Sequence, residues 1–563
     1  MSRTEIWLVC VLLPVLGYQT QLQAQTDIRY DPWDWVTYKN SQFVSSITEG
    51  REYIYFATNG GILRYQIFGK YWDYPITRSQ GLSDEDIDAV YYDFFTHTLW
   101  ASTSSGLNYS MEGGRRWELV PNETLALRPG ERILRIGSTS EYLWCLTSSQ
   151  ILKMDHLSGY VISPYADVSN EDVRWGSALL MGGERSLGIL KDFSATGGWI
   201  NNVDVLHGPQ MEEVYVSTLY VDRFGDIWVG TWGGSVFFGD FQMRQLEPLS
   251  FGPAQTSSEI VLKTEQGIWM AGIDPSSRFS GITRYEPNRG NWDLFRVGYE
   301  ITFGDDHVYC GTQVENEWWF GTPNGIQIYT PNKDSWVSIS QSKGLPDNRI
   351  TSIAFDGNYV YVGTPTGIVR MSPVSKTRIS WKLADRIHRQ PVYSIHWDGR
   401  HLWISTDINL WQWQVGTDLV HHYGIFGNSP EGTVPNPEYK PPDIMAPVTA
   451  IVSSDSVVYF GDEFGILSYH RNRGEWIRLT GESRLIGYQV LSLTLSGEND
   501  SSLWMGTSKG VFIVNLNDGY IRHLKKEDGL PSNAIRSSVI DGDIVWFGTP
   551  EGLVRFNWKR HLE

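Results

Sequence analysis

Gly506-Thr507-Ser508-Lys509-Gly510 has the G-x-S-x-G spacing of a nucleophile elbow, in which a serine on a sharp strand-to-helix turn attacks an acyl carbon. The same turn recurs without the serine, as Thr322-Pro323-Asn324-Gly325, Thr364-Pro365-Thr366-Gly367 and Thr549-Pro550-Glu551-Gly552. Ser508 therefore fills a variable turn position. The 12 histidines stand singly apart from His421-His422, and no H-x-x-x-H or clustered His/Asp set has the spacing of a catalytic metal site. His421 and His422 fall where an outer strand is expected, which turns one of them to solvent. Asp356-Gly357, Asp398-Gly399 and Asp541-Gly542 read as hairpin turns and not as calcium loops. No metal or cofactor is called for, and the search moves from catalysis to binding.

The turns belong to a repeat. Its last complete copy, Asp528 to Phe556, runs from a Gly-Leu-Pro-Ser-Asn turn through an alternating run to the Asp541-Gly542 turn. Trp546-Phe547-Gly548-Thr549 follows, then a Thr-Pro-Glu-Gly turn and Leu553-Val554-Arg555-Phe556. Three short strands separated by tight turns are expected. Anchored on the aromatic two residues before the glycine or its substitute, copies fall at Tyr55, Trp100, Trp144, Trp228, Trp269, Trp319, Tyr361, Trp403, Tyr459, Trp504 and Trp546. The steps run from 41 to 56 residues except for one of 84, between Trp144 and Trp228. The doubled step predicts a degenerate copy near Ser186 and twelve units in all. A fourth strand is visible in Tyr285-x-x-Asn288-x-Gly290-x-Trp292, Tyr329-x-x-Asn332-x-Asp334-x-Trp336 and Tyr469-x-x-Asn472-x-Gly474-x-Trp476.

A period of about 45 residues with four strands per unit is that of a β-propeller blade. The fold expected is all-β, a propeller of twelve four-stranded blades. The twelfth unit lacks an outer strand, and Asp34-Trp35-Val36-Thr37-Tyr38 is expected to supply it by pairing with Leu553–Phe556, closing the sheet edge. The motif aromatics are expected in the core. Twelve blades exceed the usual range for one ring. Two propellers of about seven and five blades are therefore favoured over one twelve-bladed ring. The irregular stretches 204–213 and 423–447 are the expected crossings. The division that follows is 25–203 (blades 1–4 with the closing N-terminal strand), 204–446 (blades 5–9, a second propeller) and 447–563 (blades 10–12).

The pattern GLP-x-N-x-[IV]…D-x-x-G…W-x-GT-x-x-G[LI], best seen at Gly344–Ile368 and Gly529–Leu553 and close at Asp222–Thr231, resembles the two-component regulator propeller repeat. That resemblance implies the sensor region of a bacterial hybrid histidine kinase or a related exported propeller protein. Ser110 to Trp117 resembles the Asp-box turn of sialidase-like propellers, with Glu112 where Asp is expected. Nothing resembles the sialidase arginine triad and its Tyr–Glu pair. In propellers, ligands meet the face built from the turns between strands two and three and between successive blades. The candidates there are Trp232, Asp407, Trp411, Asp462, Glu463, Lys509 and Glu551, with Asp84, Glu85, Asn348 and Asn533 from the inter-blade turns. Trp232 stands out, because Thr231-Trp232-Gly233-Gly234 places a bulky aromatic in a turn otherwise filled by small or polar residues.

Residues 1–24 read as a secretory leader, with Arg3, an apolar run from Ile6 to Leu16 and a Leu22-Gln23-Ala24 cleavage site before Gln25. The run is too short for a membrane span, and no other stretch approaches one. A net charge of −18 without a basic stripe argues against nucleic acid and anionic membranes. Cys145 and Cys310 read as small buried hydrophobes in different blades, with a disulfide left open. The expectation is an exported, non-catalytic propeller in the periplasm or at the cell surface, sensor or envelope scaffold, whose partner is an envelope protein or a glycan or peptide ligand. The alternative is a carbohydrate-active propeller enzyme, a polysaccharide lyase or glycosidase.

Overall fold

The copies fold as meanders because each apolar alternating run stops at a turn that only certain residues make. In the last copy the strands Ser537–Asp541, Ile544–Thr549 and Gly552–Asn557 are joined at Gly542 (φ 58°) and Gly552 (φ 124°), both in the left-handed region that favours glycine. The computed structural model describes residues 30–562 except 112, 181–184, 210–212, 235, 273–280, 297–306, 426–443, 445, 480–487 and 497–499. The expected leader at 1–24 and part of the Asp-box-like turn lie outside them.

The described residues form eleven sheets: nine of four strands, one of five and one of seven. Within the nine, neighbouring strands are antiparallel. This is a β-propeller. The N-terminal strand Trp35–Tyr38 completes the eleventh sheet as expected, in the register Trp35↔Phe556, Val36↔Arg555, Thr37↔Val554 and Tyr38↔Leu553. Trp35 stacks on Phe556 with ring centroids 3.8 Å apart.

The degenerate unit expected near Ser186 forms no sheet of its own among the described residues. Arg174–Trp175 adds a fifth strand to the third sheet, on Ile133–Ser138. A 3-10 helix covers Arg185–Asp192. Ser194–Ala195 lies parallel to Gln245–Leu249, and Ile200–Asn201 and Val205–His207 extend the same fourth sheet beyond Glu213–Val221. Strands of two or three residues bury too little apolar surface to stand alone as a sheet, so they dock on their neighbours.

Two repeated contacts order the sheets. A hydroxyl at the start of an innermost strand donates to the corresponding carbonyl of the next sheet: Ser45 to Ile87 O (2.6 Å), Thr351 to Val392 O (2.6 Å) and Thr449 to Val490 O (2.6 Å). Ser217 of the fourth sheet makes the same bond back to Val44 O of the first, at 2.5 Å. An amide ahead of the innermost strand donates to the motif threonine of the preceding sheet: Ile350 N to Thr322 O (3.0 Å) and Ile535 N to Thr507 O (2.9 Å). Ser258 N, ahead of the fifth sheet, donates to Thr549 O of the eleventh at 2.8 Å. The links 39–43 and 250–258 lie side by side, with Asn40 Nδ2 donating to Ala254 O at 2.7 Å. These contacts run across the boundaries expected at 203/204 and 446/447: the stretch 204–213 lies inside one sheet, and Ser394 bonds Val448 O across the other.

Apolar clusters fill the spaces between neighbouring sheets. Trp100, Trp144, Trp228, Trp269, Trp319, Trp403, Trp504 and Trp546, all motif aromatics, are among the largest fully buried side chains. The motif glycine permits close approach: a Cβ at Gly548 would lie 2.4 Å from Ser537 Oγ and 2.5 Å from Ser258 O. Cys145 is buried and Cys310 half-buried, both as free thiols, and burial pushes both pKa values up.

Candidate binding face

The turn between strands two and three is built by its threonine. Thr322, Thr364, Thr507 and Thr549 each donate from Oγ1 to the carbonyl of the glycine three residues on, at 2.8–2.9 Å. Each also accepts from the amide two residues on, as Thr507 does from Lys509 N at 3.0 Å. The motif thus satisfies its own polar groups, and only the middle turn residues are left to meet a ligand.

The candidate residues divide on that basis. Glu85 is buried and Glu551 half-buried, and Lys39 from the link 39–43 joins them, at 2.5 and 3.3 Å. Lys526 also reaches Glu551, at 3.6 Å. Asp84 is committed to Arg78 and to the Ser104 hydroxyl. Burial pushes its carboxyl up, but Ser104, the Glu85 amide and Arg78 hold it below the usual carboxylate range. Asp462 replaces the motif threonine, accepts from Phe464 N at 2.7 Å and pairs with Arg478 at 3.1 Å. Asn348 and Asn533 cap the inter-blade 3-10 turns, accepting from Gln341 N (2.8 Å) and Lys526 N (2.9 Å). Trp411 is buried in the strand Asn409–Gln414, opposite His422, with ring centroids 5.0 Å apart. Asp407 is half-buried at the edge of that hairpin, while Glu463 and Lys509 are exposed. His421 and His422 lie in the outer strand Val420–Gly424, both half-buried.

Trp232 is different. It is 50% exposed, at the end of the strand Ile227–Trp232. Tyr215, directly opposite on Glu213–Val221, is 52% exposed. Phe43, bridged to Trp232 from the other side, is 50% exposed. Directly opposed residues of antiparallel strands share one face, so three aromatic side chains stand in a row about 4.8 Å apart from strand to strand. The backbone holds the row, because Gly233 N donates to Gln42 O at 2.8 Å. Half-exposed aromatics of this size present roughly 300 Å² between them, within the range of functional patches on soluble proteins. Phe43 and Tyr215 are invisible to sequence reasoning. Tyr215 reads as one more residue of an alternating run and Phe43 as part of a link, and only register brings them beside Trp232.

The Two component regulator propeller family matches residues 210–233, the strands that carry Tyr215 and Trp232. The chain thus carries that repeat. The sequence matches no curated protein. Among solved structures, the chain is similar to PorZ, described as an essential bacterial surface component of the type-IX secretion system of Porphyromonas gingivalis. The match has a TM-score of 0.54 at 13% identity, covering 93% of this chain and 87% of that one. The extracellular domain of a putative one component system from B. thetaiotaomicron matches at a TM-score of 0.42 and 14% identity, over 95% of this chain and 71% of that one.

Proposed function

We propose that this chain, a β-propeller protein carrying the two component regulator propeller repeat, is an exported, non-catalytic binding protein that meets a macromolecular partner through Phe43, Trp232 and Tyr215. The observation that carries the reading is the exposed aromatic row across three strands. Large amphipathic rings on a rigid backbone make good contact area at low entropic cost. The other candidate positions offer less, since Glu85, Glu551, Asp84 and Asp462 are consumed by internal pairs. The test is capture of partners from envelope extract by the mature chain. Trp232→Ala, and Trp232→Ala with Tyr215→Ala, are expected to lose capture while melting like the parent. Unchanged capture sinks the reading.

Export is supported by the leader-like 1–24, and no described helix is long and apolar enough to cross a membrane. The amino terminus of protein recovered from envelope or medium is expected at Gln25. We also propose two propellers: sheets one to four form one, closed by Ser217 on Val44, and sheets five to eleven form a seven-bladed second, closed by Ser258 on Thr549 and by the N-terminal strand.

A further inference from the structure

The seventh sheet departs from the repeat after its third strand, where Trp381, Leu383 and Ile387 are buried against the core in place of a full outer strand. Its outer strand is only Arg378–Ile379, and the chain then turns into the helix Lys382–Arg386. The missing length of strand leaves a cleft of about 770 Å³ between this sheet and the eighth, lined by Tyr359, Arg370, Trp381, Lys382, Arg386 and Trp413 among others. That is the size of a small-molecule site.

The cleft has a cationic side and an aromatic floor. Trp381 and Trp413 lie with ring centroids 5.0 Å apart. Arg370 sits 4.6 Å above Tyr359 and donates to Ser380 O at 2.7 Å. Its Nε is buried without a hydrogen-bond partner, which is costly unless something else fills that role. Lys382 and Arg386 are exposed and one turn apart, and neither makes an ion pair among the described residues. Like charges at that spacing destabilise a helix. Of the two acids in the wall, Asp356 is consumed by Tyr361 Oη (2.7 Å) and by the amides of Asn358 and Tyr359 (both 2.7 Å). Asp418 is the other, and it is exposed. Arg378, Lys382, Arg386 and Arg389 stand with a single acid, Asp385, in the stretch 378–389 of a chain whose net charge is −18, while Lys376 is paired with Glu317 at 2.7 Å. The field reaches His422, whose pKa is held down by burial and then by Arg386.

We infer that this cleft binds a small organic anion, its carboxylate or phosphate held by Arg370, Lys382 and Arg386 and its flat apolar body lying on Trp381 and Trp413. The site is separate from the aromatic row, so either reading stands or falls alone. The experiment is calorimetric titration of the full mature chain with benzoate, phenyl phosphate and neutral benzyl alcohol, in low and high salt. At least one anion is expected to bind in the micromolar to millimolar range, more weakly in high salt, and benzyl alcohol is not. Benzoate against phenyl phosphate tells which acidic group the site takes. Lys382→Gln with Arg386→Gln, both exposed, is expected to melt like the parent and to weaken the anion at least tenfold. Arg370→Met is expected to weaken it as much, and the exposed pair keeps the test valid if that variant unfolds. No anion binding by the parent overturns the assignment. So does equal binding of benzyl alcohol, or anion affinity unchanged in the double variant.

Discussion

Asp222 and Asp398 sit in the turns between strands one and two, where the sequence reads Asp398 as a hairpin residue and Asp222 as part of the repeat pattern. Each has a second task. Asp222 accepts from Trp228 Nε1 at 2.9 Å and from the amides of Phe224 and Asp226, and Asp398 accepts from Trp403 Nε1 at 2.7 Å. Asp356 does the same for Tyr361, and Ser496 for Trp504. In other copies the buried indole N–H has no hydrogen-bond partner, as in Trp100, Trp144, Trp269 and Trp546, even where the turn carries an aspartate such as Asp93 or Asp541. Asp222→Ala is expected to cost about 3 kcal/mol, since it strands a buried indole N–H and two amides, and denaturant melts measure it. A loss no larger than for a surface substitution would show that the tie is incidental. Burial of the motif aromatics was legible in the sequence because it follows from repetition. The indole tie was not, because it joins residues through a turn geometry that composition leaves open. His396 gives a pH test. Burial pushes its imidazole down to about 4, with Asp398 pulling up and Arg471 pushing down, and Ser453 Oγ lies 2.8 Å from Nε2. A depressed folded value means the unfolded chain takes up the proton first as pH falls. The stabilisation is therefore complete above about 6.5 and is lost down to about 4, by up to about 3 kcal/mol. Asp398 is held well below the carboxylate range, so its own loss comes at lower pH. His396→Gln is expected to flatten stability between pH 6.5 and 4, and an unchanged slope would assign that window to other groups.

At the scale of elements, the strand Trp35–Tyr38 shows how far absence can be read. The last unit lacked an outer strand, an alternating aromatic segment was spare at the other end, and the register found is the one that pairs them. Beyond the strand, buried Asp34 accepts from His561 Nε2 at 2.7 Å and from Arg560 at 3.3 Å, which adds a polar clasp beside the paired strands. Deleting 25–40 is expected to lower the melting temperature markedly, because it bares the strand Gly552–Asn557 and removes Trp35 and Tyr38 from two cores. Trp35→Ala alone is expected to cost about 3–5 kcal/mol. A melt unmoved by the deletion would place the closure elsewhere. The doubled step misled for a physical reason. Spacing counts residues, and 84 residues suffice for two blades, but the middle of that stretch has no Trp-x-Gly-Thr hairpin to make a core. Its short strands feed the third and fourth sheets instead. The crossing points proposed above were hard to read for a related reason: the links 39–43 and 250–258 are short and carry no copy of the motif, whereas the longer irregular segments drew attention.

At the scale of the molecule, the two propellers proposed above ought to unfold separately unless an interface couples them. One cluster does span both groups of sheets: Phe56, Tyr65 and Trp72 of the first sheet and Trp228 of the fourth meet Tyr285 and Trp292 of the fifth and Tyr38 and Trp546 of the eleventh. Phe251, in the second link, lies between Trp72 (5.1 Å) and Trp292 (5.5 Å), and Tyr38 approaches Tyr285 and Trp292 at 5.3 and 5.2 Å. Arg555 of the eleventh sheet lies 5.1 Å over Tyr74 of the first. Aromatic contacts of this kind add about 0.5–1.5 kcal/mol each beyond the area they bury. An apolar interface of that composition ties domains together, whereas small polar ones let them move. The parent is therefore expected to unfold in one calorimetric transition. Phe251→Ala with Trp292→Ala removes the two rings that bridge Trp72 to the fifth sheet, and it is expected to split the melt into two. The smaller group, which lacks the closing N-terminal strand, is expected to unfold first. If the double variant merely shifts a single transition downward, the two groups share a core more extensive than this seam, and the division into two propellers fails as a statement about cooperative units.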